Sequence, residues 1–251
     1  MKVLECKKVT KVYDAFKGAQ AIKALNDISF KVEDGDFLGI MGPSGSGKTT
    51  LLNILAGIDK ATSGEIFIGE KNIVTMKKDD MAIFRRNNIG FIFQEYNLLD
   101  SLTVKENIGF PLTLDRIKPK VIEAKVNELI EYFGLKEVEN SYPYNISGGQ
   151  KQRAAEARAL IKEPKIILGD EPTGNLDSKS SMNIMESFKK INEEKNSTIA
   201  MVTHDPFAAS FCKRIIFIND GAIKLEINSS GNRKEFFDKV IEAQLVIGGQ
   251  E

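Results

Sequence analysis

Eight residues, Gly42-Pro43-Ser44-Gly45-Ser46-Gly47-Lys48-Thr49, constrain this chain more than any other stretch. They fit the pattern G-x-x-x-x-G-K-[ST]. The run before them, Phe37 to Met41, is short and apolar, as a buried strand would be. The run after them, Thr50 to Ile58, is an apolar helix. A strand that feeds a helix through a glycine-rich loop leaves the loop and first-turn N–H groups bare and aimed at one point. That is an anion cradle. In such a cradle Lys48 reaches the β- and γ-phosphates of a nucleotide as a point charge, and Thr49 offers a hydroxyl to Mg²⁺.

A magnesium site needs a carboxylate. The apolar run Ile166-Ile167-Leu168-Gly169 ends in Asp170-Glu171, at the C-terminal edge where α/β sheets bind ligands. Asp170 is the expected metal carboxylate. Glu171 points the other way and is placed to polarise an attacking water. His204, the only histidine, follows the β-rich run Ile199 to Thr203 and reaches the same edge, although a lone histidine is more often structural. Gln94 ends the run Gly90 to Phe93 in the same manner, where an amide sees both metal and water or is an ordinary loop glutamine. Tyr13 reads equally as a core tyrosine or as a ring for stacking on adenine.

A second glycine turn lies about a hundred residues further on. Ser147-Gly148-Gly149-Gln150 opens the helical run Lys151 to Ile161. Serine followed three residues later by glutamine is a capping box, and the two glycines leave N–H groups bare, which makes a second anion site. The turn directly follows a helical insertion, which sets it away from the first loop. A second cradle that cannot reach its own nucleotide can serve one held by another copy, so that two chains head to tail share two sites.

The rest of the chain bounds these readings. Lys+Arg and Asp+Glu both total 35 among 251 residues, so nothing marks a polyanion surface, and no nucleic-acid partner is expected. Cys6 and Cys212 are too few for a disulfide framework and read as buried residues of a reducing compartment. No apolar run approaches the ~20 residues of a spanning helix and no signal-peptide core begins the chain. The expectation is a cytoplasmic protein that reaches a membrane only through a partner. The N-terminal third reads as short β segments broken by asparagine, aspartate and glycine turns, one of them at Asn26-Asp27. From Ser101 to Tyr142 the pattern is helical, with Ile122, Val126, Leu129, Ile130 and Phe133 at helical spacing between Pro119 and Gly134. A buried strand is expected over Phe91 to Phe93, a helix from Asp177-Ser178 to about Glu194, and a hairpin turning at Asp220-Gly221. Strands alternating with helices imply a largely parallel sheet covered on both faces. The tail from Ser229 reads as an extra amphipathic helix.

Taken in order, GPSGSGKTT, Gln94, ISGGQKQR, ILGDE, GNLD and His204 resemble the ATP-binding subunit of an ABC transporter over roughly Val3 to Leu225. The resemblance implies an α/β fold, a P-loop NTPase (RecA-like) parallel-sheet core with an N-terminal antiparallel β subdomain and an inserted helical subdomain. Residues 1–227 would be the ATP-binding domain, with the helical part at about 97–162, and residues 228–251 a helical extension. It also implies the cofactors ATP and Mg²⁺ and a set of roles. Tyr13 stacks adenine, and Gly42 to Thr50 (Pro43, Ser44, Gly45, Ser46, Gly47, Lys48, Thr49 and Thr50 included) hold phosphate. Thr49, Gln94 and Asp170 serve the metal. Ser147, Gly148, Gly149 and Gln150 bind the partner copy's γ-phosphate, Glu171 is the base, Asp177 couples the sites and His204 contacts the γ-phosphate. Ile146 stands where leucine is commoner, Gly169 where alanine is frequent, and Glu156 where the family often has an apolar residue.

A narrower resemblance rests on GFIFQEYNLLDSLTVKENI, DEPTGNLDSKS, TIAMVTHDPFAAS and EFFDKVIEAQLVIGG. These are similar to the bacitracin-export type, whose ATPases pair with one large permease, protect against cell-wall-targeting peptide antibiotics and often signal to a histidine kinase. The lipoprotein-release and macrolide-export ATPases are near relatives, and a mechanical or regulatory module without transport is the alternative of another class. The implied partners are an integral-membrane permease, a second copy of the chain and a histidine kinase acting through the permease. The implied location is the inner face of the cell membrane.

Overall fold

The structure is a computed structural model that describes residues 1–14, 21–174 and 176–248. Asn175, in the GNLD stretch, and the last three residues of the tail lie outside them.

The chain opens with two long antiparallel strands, β1 (Lys2–Tyr13) and β2 (Ile22–Glu33). Asn26-Asp27 is not the expected turn. The strand runs through it as a bulge, with Asp27 in the left-handed region (φ 57°) and its N–H donating to Thr10 Oγ1. Asparagine and aspartate tolerate that conformation, and the neighbouring strand supplies the partners a turn would have needed. The strands β4 (Ser63–Ile68) and β5 (Lys71–Asn72) complete a sheet of order β2-β1-β4-β5.

The second sheet carries the loop. Strand β3 (Phe37–Met41) is buried at every position, as expected for a strand covered on both faces. It leads through the glycine loop to α1 (Lys48–Leu55). Helix α2 (Lys78–Asn88) passes without a linker into β6 (Ile89–Ile92). That junction starts the strand two residues before the expected Phe91 and leaves Phe93 outside it. Then come the helices α3 (Val104–Leu114), α4 (Pro119–Tyr132) and α5 (Gly148–Leu160). Strand β7 (Ile166–Asp170), helix α6 (Ser178–Glu194), strand β8 (Ile199–Val202), the single-turn α7 (Pro206–Ala209) and strand β9 (Arg214–Asn219) follow. The chain ends in β10 (Ala222–Asn228) and α8 (Arg233–Gly248). The sheet order is β10-β9-β3-β8-β7-β6, parallel throughout except for the β9–β10 hairpin. Asp220 and Gly221 both have positive φ (49° and 69°), as a two-residue hairpin turn requires.

Alternate residues of the parallel strands point to opposite faces, and this divides the core in two. Leu38, Ile40, Leu168, Ala200, Val202, Ile216 and Ile218 pack toward α1 and the antiparallel sheet. Phe37, Met41, Ile167, Ile199, Met201, Ile215 and Phe217 pack toward the helices of the other layer. Helix α4 starts with Pro119 at its first turn, buries Val126, Leu129 and Ile130, and stops before Gly134 at φ +61°. The tail is helical as expected. Its Phe236, Val240, Ala243 and Ile247 form one buried face, and the Arg233 guanidinium sits 4.5 Å from the Phe211 ring centre. Among the described residues no helix is long and apolar enough to cross a membrane.

Candidate active site

The glycine loop is built by contacts that exclude side chains. A Cβ on Gly42 (φ +150°) would overlap the Ile218 carbonyl oxygen of β9, and one on Gly47 (φ +100°) the Ala24 carbonyl oxygen of β2. Gly47 is the N-cap of α1 and no side chain caps that helix, so its first-turn N–H groups lack the partners a cap would give. Ser46 Oγ is buried with no hydrogen-bond partner among the described residues. Lys48 Nζ donates to the carbonyl oxygens of Gly42 (2.9 Å) and Pro43 (2.7 Å). Burial pulls its ammonium below the ordinary lysine range, against the pull of Glu171 and Asp170 in the other direction. Gly42 to Thr50, except the buried Ser46, wall an open cleft of about 860 Å³ together with Glu171, His204, Asp220, Gly221 and Gln244.

The carboxylates stand at the edge of that cleft. Asp170 is the last residue of β7. Burial, and then the neighbouring charge of Glu171, push its carboxyl above the usual carboxylate range, while Lys48 opposes them. Glu171 has left the strand. Its φ is +44°, a conformation non-glycine residues adopt at a cost and often at functional sites. The turn is fixed by Glu171 N–H donating to Val202 O (3.0 Å) and by Gly174 N–H donating to Glu171 O (3.0 Å). Its Oε1 lies 3.0 Å from His204 Nδ1, with the imidazole well exposed. Gln94 Nε2 lies 3.2 Å from where a Cβ on Gly174 would stand, and Glu171 Oε2 lies 3.5 Å from the same point. The structure thus brings Lys48, Glu171 and His204 to one cleft, with Asp170 beside Glu171 at the end of β7 and Gln94 on the Gly174 side of the Glu171 turn.

Tyr13 ends β1 opposite Ile22, which lines the cleft. Its hydroxyl donates to Asp59 Oδ2 (2.8 Å) and Lys11 Nζ sits 4.5 Å from its ring centre. It is a half-exposed rim residue, not a core tyrosine.

The second glycine turn does not line the cleft. Both halves of its capping box are present: Gln150 N–H donates to Ser147 Oγ (3.3 Å) and Ser147 N–H to Gln150 Oε1 (2.9 Å). Gly148 is tight, since a Cβ there would come 3.2 Å from the Tyr96 hydroxyl and 3.3 Å from Leu176. Asp177 caps α6, accepting from Lys179 N–H and Ser180 N–H at 3.0 Å each. The Ser180 hydroxyl above all holds its carboxyl below the usual range.

The sequence reading missed three features. The His204–Glu171 pair joins residues 33 apart in the chain, and only topology brings them together. Arg158 of α5 donates to the carbonyl oxygens of Tyr96 (2.8 Å) and Asn97 (2.5 Å), whose left-handed backbone (φ 63° and 47°) forms the loop after Gln94. No local signal distinguishes it from any surface arginine. Gln244 of the tail helix reaches the same cleft as the glycine loop, which the helical pattern of the tail could not show.

Residues 25–174 match the family described as ABC transporter. The chain belongs to that family. It is 49% identical over 249 residues to an uncharacterized ABC transporter ATP-binding protein, YvcR, of Bacillus subtilis, covering 99% of this chain and 96% of the relative. It is 47% identical over 250 residues to the bacitracin export ATP-binding protein BceA of Halalkalibacterium halodurans, covering 99% and 98%. Among solved structures, the dimeric post-hydrolysis state of the ATP-binding cassette MJ0796, bound to ADP and Pi, superposes with a TM-score of 0.82 at 39% identity, covering 91% of this chain and all of that one. The protein is therefore an ATP-hydrolysing cassette that uses ATP with Mg²⁺, on the α/β fold expected from its sequence. Cassettes of this family act as dimers beside a membrane permease. The residues present fit the nucleotide and its metal: an uncapped helix N-terminus, Lys48 and Thr49 line the same cleft as Glu171, and Asp170 is close enough to feel the charge of Lys48.

Proposed function

We propose that this ATPase powers a membrane permease that protects against, and senses, peptide antibiotics directed at the cell wall. The observation that carries this reading is the full-length likeness to the bacitracin export protein, 99% of the chain at 47% identity. The MJ0796 cassette covers only 91%. The permease holds the chain at the inner face of the membrane, and a histidine kinase is reached through it.

The site roles we assign are those the family resemblance implies, and the geometry is compatible with them. Lys48 and the N–H groups of Gly45 to Thr50 bind the phosphates, with Gly42, Pro43 and Ser44 shaping the loop and Tyr13 stacking on the adenine. Thr49, Asp170 and Gln94 would hold Mg²⁺, which would supply neutralisation of phosphate charge. Glu171 orients a water in line with the γ-phosphate and accepts its proton, while His204, bonded to Glu171, steadies that carboxylate and faces the γ-phosphate. Ser147, Gly148, Gly149 and Gln150 close over the nucleotide of a second copy, which explains why one chain carries two cradles. Asp177, beside the Glu171 turn, couples one site to the other. Residues 1–227 form the ATP-binding domain, with the helical part at about 97–162, and the tail is its extension.

The test is to purify the tagged chain from native membranes and identify its partner. A single large, many-spanning permease with a big extracellular domain supports the reading. A short four-span permease moves the protein to lipoprotein or macrolide export, and absence of any membrane partner removes the transport claim.

A further inference from the structure

Helix α5 begins at the Ser147 turn and helix α6 at Asp177, and the two pack together. Their contact contains a carboxyl group where an apolar side chain would serve packing better. Glu156 is completely buried. Its Oε2 accepts from Ser187 Oγ of α6 at 2.6 Å, and its Oε1 has no partner in hydrogen-bond geometry among the described residues. One helical turn back, Gln152 is also completely buried, and among the described residues neither its Oε1 nor its Nε2 has a partner in hydrogen-bond geometry. Buried polar atoms are rarely left in this condition. Either protonation state can pair the two side chains: a neutral Glu156 donates from Oε1 to the Gln152 carbonyl oxygen, and an ionised one accepts from the Gln152 amide. Burial decides between them, because a charge in this helix contact calls for water.

We propose that Glu156 is a positioning residue for the half of the active site that each chain lends to its partner. Held neutral between Gln152 and Ser187, it seats the helix that carries Ser147 on the helix that starts at Asp177, and loss of its proton unseats them. The inference rests on the head-to-tail reading above. Burial pushes the Glu156 carboxyl up to about 8, with Ser187, Arg153 and Gln152 pulling it down. Among the described residues, the titratable side chains around Ser187 on α6, Glu186, Lys189, Lys190, Glu193 and Glu194, are exposed. Arg153 lies on the same helix as Glu156. Tyr132 of α4 lies near, with its hydroxyl 3.1 Å from Glu194 and its ring under Lys190 and Lys195. Strand β6 carries no titratable side chain, and Lys105 and Glu106 of α3 are exposed.

The test uses the full chain with Glu171→Gln, so that ATP is bound and not consumed, and measures the dimerisation constant from about pH 6.5 to about 9.5 by sedimentation, with ATP affinity measured alongside. One proton per chain is two per dimer, so the constant falls by up to about a hundredfold per pH unit above the Glu156 transition. Adding Glu156→Gln, which supplies an amide donor and acceptor in place of the protonated carboxyl and cannot ionise, removes that alkaline limb and leaves ATP affinity unchanged. Adding Ser187→Ala instead removes a group that pulls the carboxyl down, and moves the limb to higher pH. Parallel profiles with and without Glu156→Gln, or an unmoved limb in Ser187→Ala, overturn the inference while the dimer stands. A chain that binds ATP and stays monomeric at every pH overturns the head-to-tail reading, and this inference with it.

Discussion

The glycine loop yields a prediction in which two substitutions share their chemistry and differ only in space. Gly45 and Gly42 both have positive φ, +78° and +150°, but nothing lies within 4 Å of a Cβ built on Gly45. Gly45→Ala therefore carries only the cost of forcing an L-residue into that backbone region, about 1–2 kcal/mol. For a chain of this size each kcal/mol lowers the melting temperature by roughly 2–4 °C. Gly42→Ala carries a comparable strain and an overlap with the Ile218 carbonyl oxygen. That oxygen belongs to β9, which is paired on one side with β3 and on the other with β10, so it cannot swing aside as a side chain would. A relaxed carbon–oxygen contact needs about 3.3 Å, so the loop itself must shift by ~1 Å or more. A displacement of that size at a catalytic centre costs on the order of 10²-fold. Thermal unfolding without nucleotide should show Gly45→Ala a few degrees below the parent and Gly42→Ala well below both. Titration with a fluorescent ATP analogue should show Gly42→Ala binding at least about tenfold more weakly than the parent. Equal melting temperatures for the two variants would refute the argument that the Ile218 contact shapes the cradle.

Other substitutions test other parts of the structure. Lys48→Ala should abolish ATP binding, and an unchanged affinity by equilibrium titration counts against the phosphate-loop assignment. Glu171→Gln should keep ATP binding and reduce turnover by about 10²–10⁴-fold, the usual worth of a positioned base; normal turnover in a phosphate-release assay removes Glu171 from that role. Phe236 is fully buried in the tail helix, so Phe236→Ala should destabilise the chain by about 3–5 kcal/mol, read as a lower midpoint in urea; a change below ~1 kcal/mol would mean the tail is not part of the core. The Glu156 carboxyl, raised to about 8 by burial, binds a proton in the folded chain that the unfolded chain has released. Its contribution to stability is full below the ordinary carboxylate range near 4.5 and is lost as pH rises through about 8. Glu156→Gln has no such window, so its melting temperature should gain on the parent's between those limits, and a constant difference across them would contradict the buried, neutral carboxyl.

Much of this was legible in the sequence because its signals are local. The glycine loop, the capping box at Ser147, Pro119 and Gly134 around α4, and the Asp220-Gly221 hairpin each depend on residues a few positions apart, and each folds as its pattern predicts. The readings that moved were overridden by neighbours. Asn26-Asp27 carries a turn signal, but β1 runs alongside and absorbs it as a bulge. Strand β6 starts early because α2 runs straight into it. The His204–Glu171 pair, the Arg158 clamp on the loop after Gln94 and the reach of Gln244 into the cleft join residues far apart in the chain. No spacing rule in one sequence encodes them. Glu156 is the converse case: the sequence marked it as out of place, and only the fold gives it Ser187 for a partner.

The central claim is that a complete site takes its two cradles from two chains. It is tested most directly by the mass and nucleotide content of the Glu171→Gln chain in ATP and Mg²⁺. The account predicts that the 27.9 kDa chain doubles in mass and retains two ATP per pair, and that adding Ser147→Arg returns it to the single mass with ATP still bound. A chain that binds ATP fully and remains at its single mass, or a pair that forms equally well with Ser147→Arg, would contradict it.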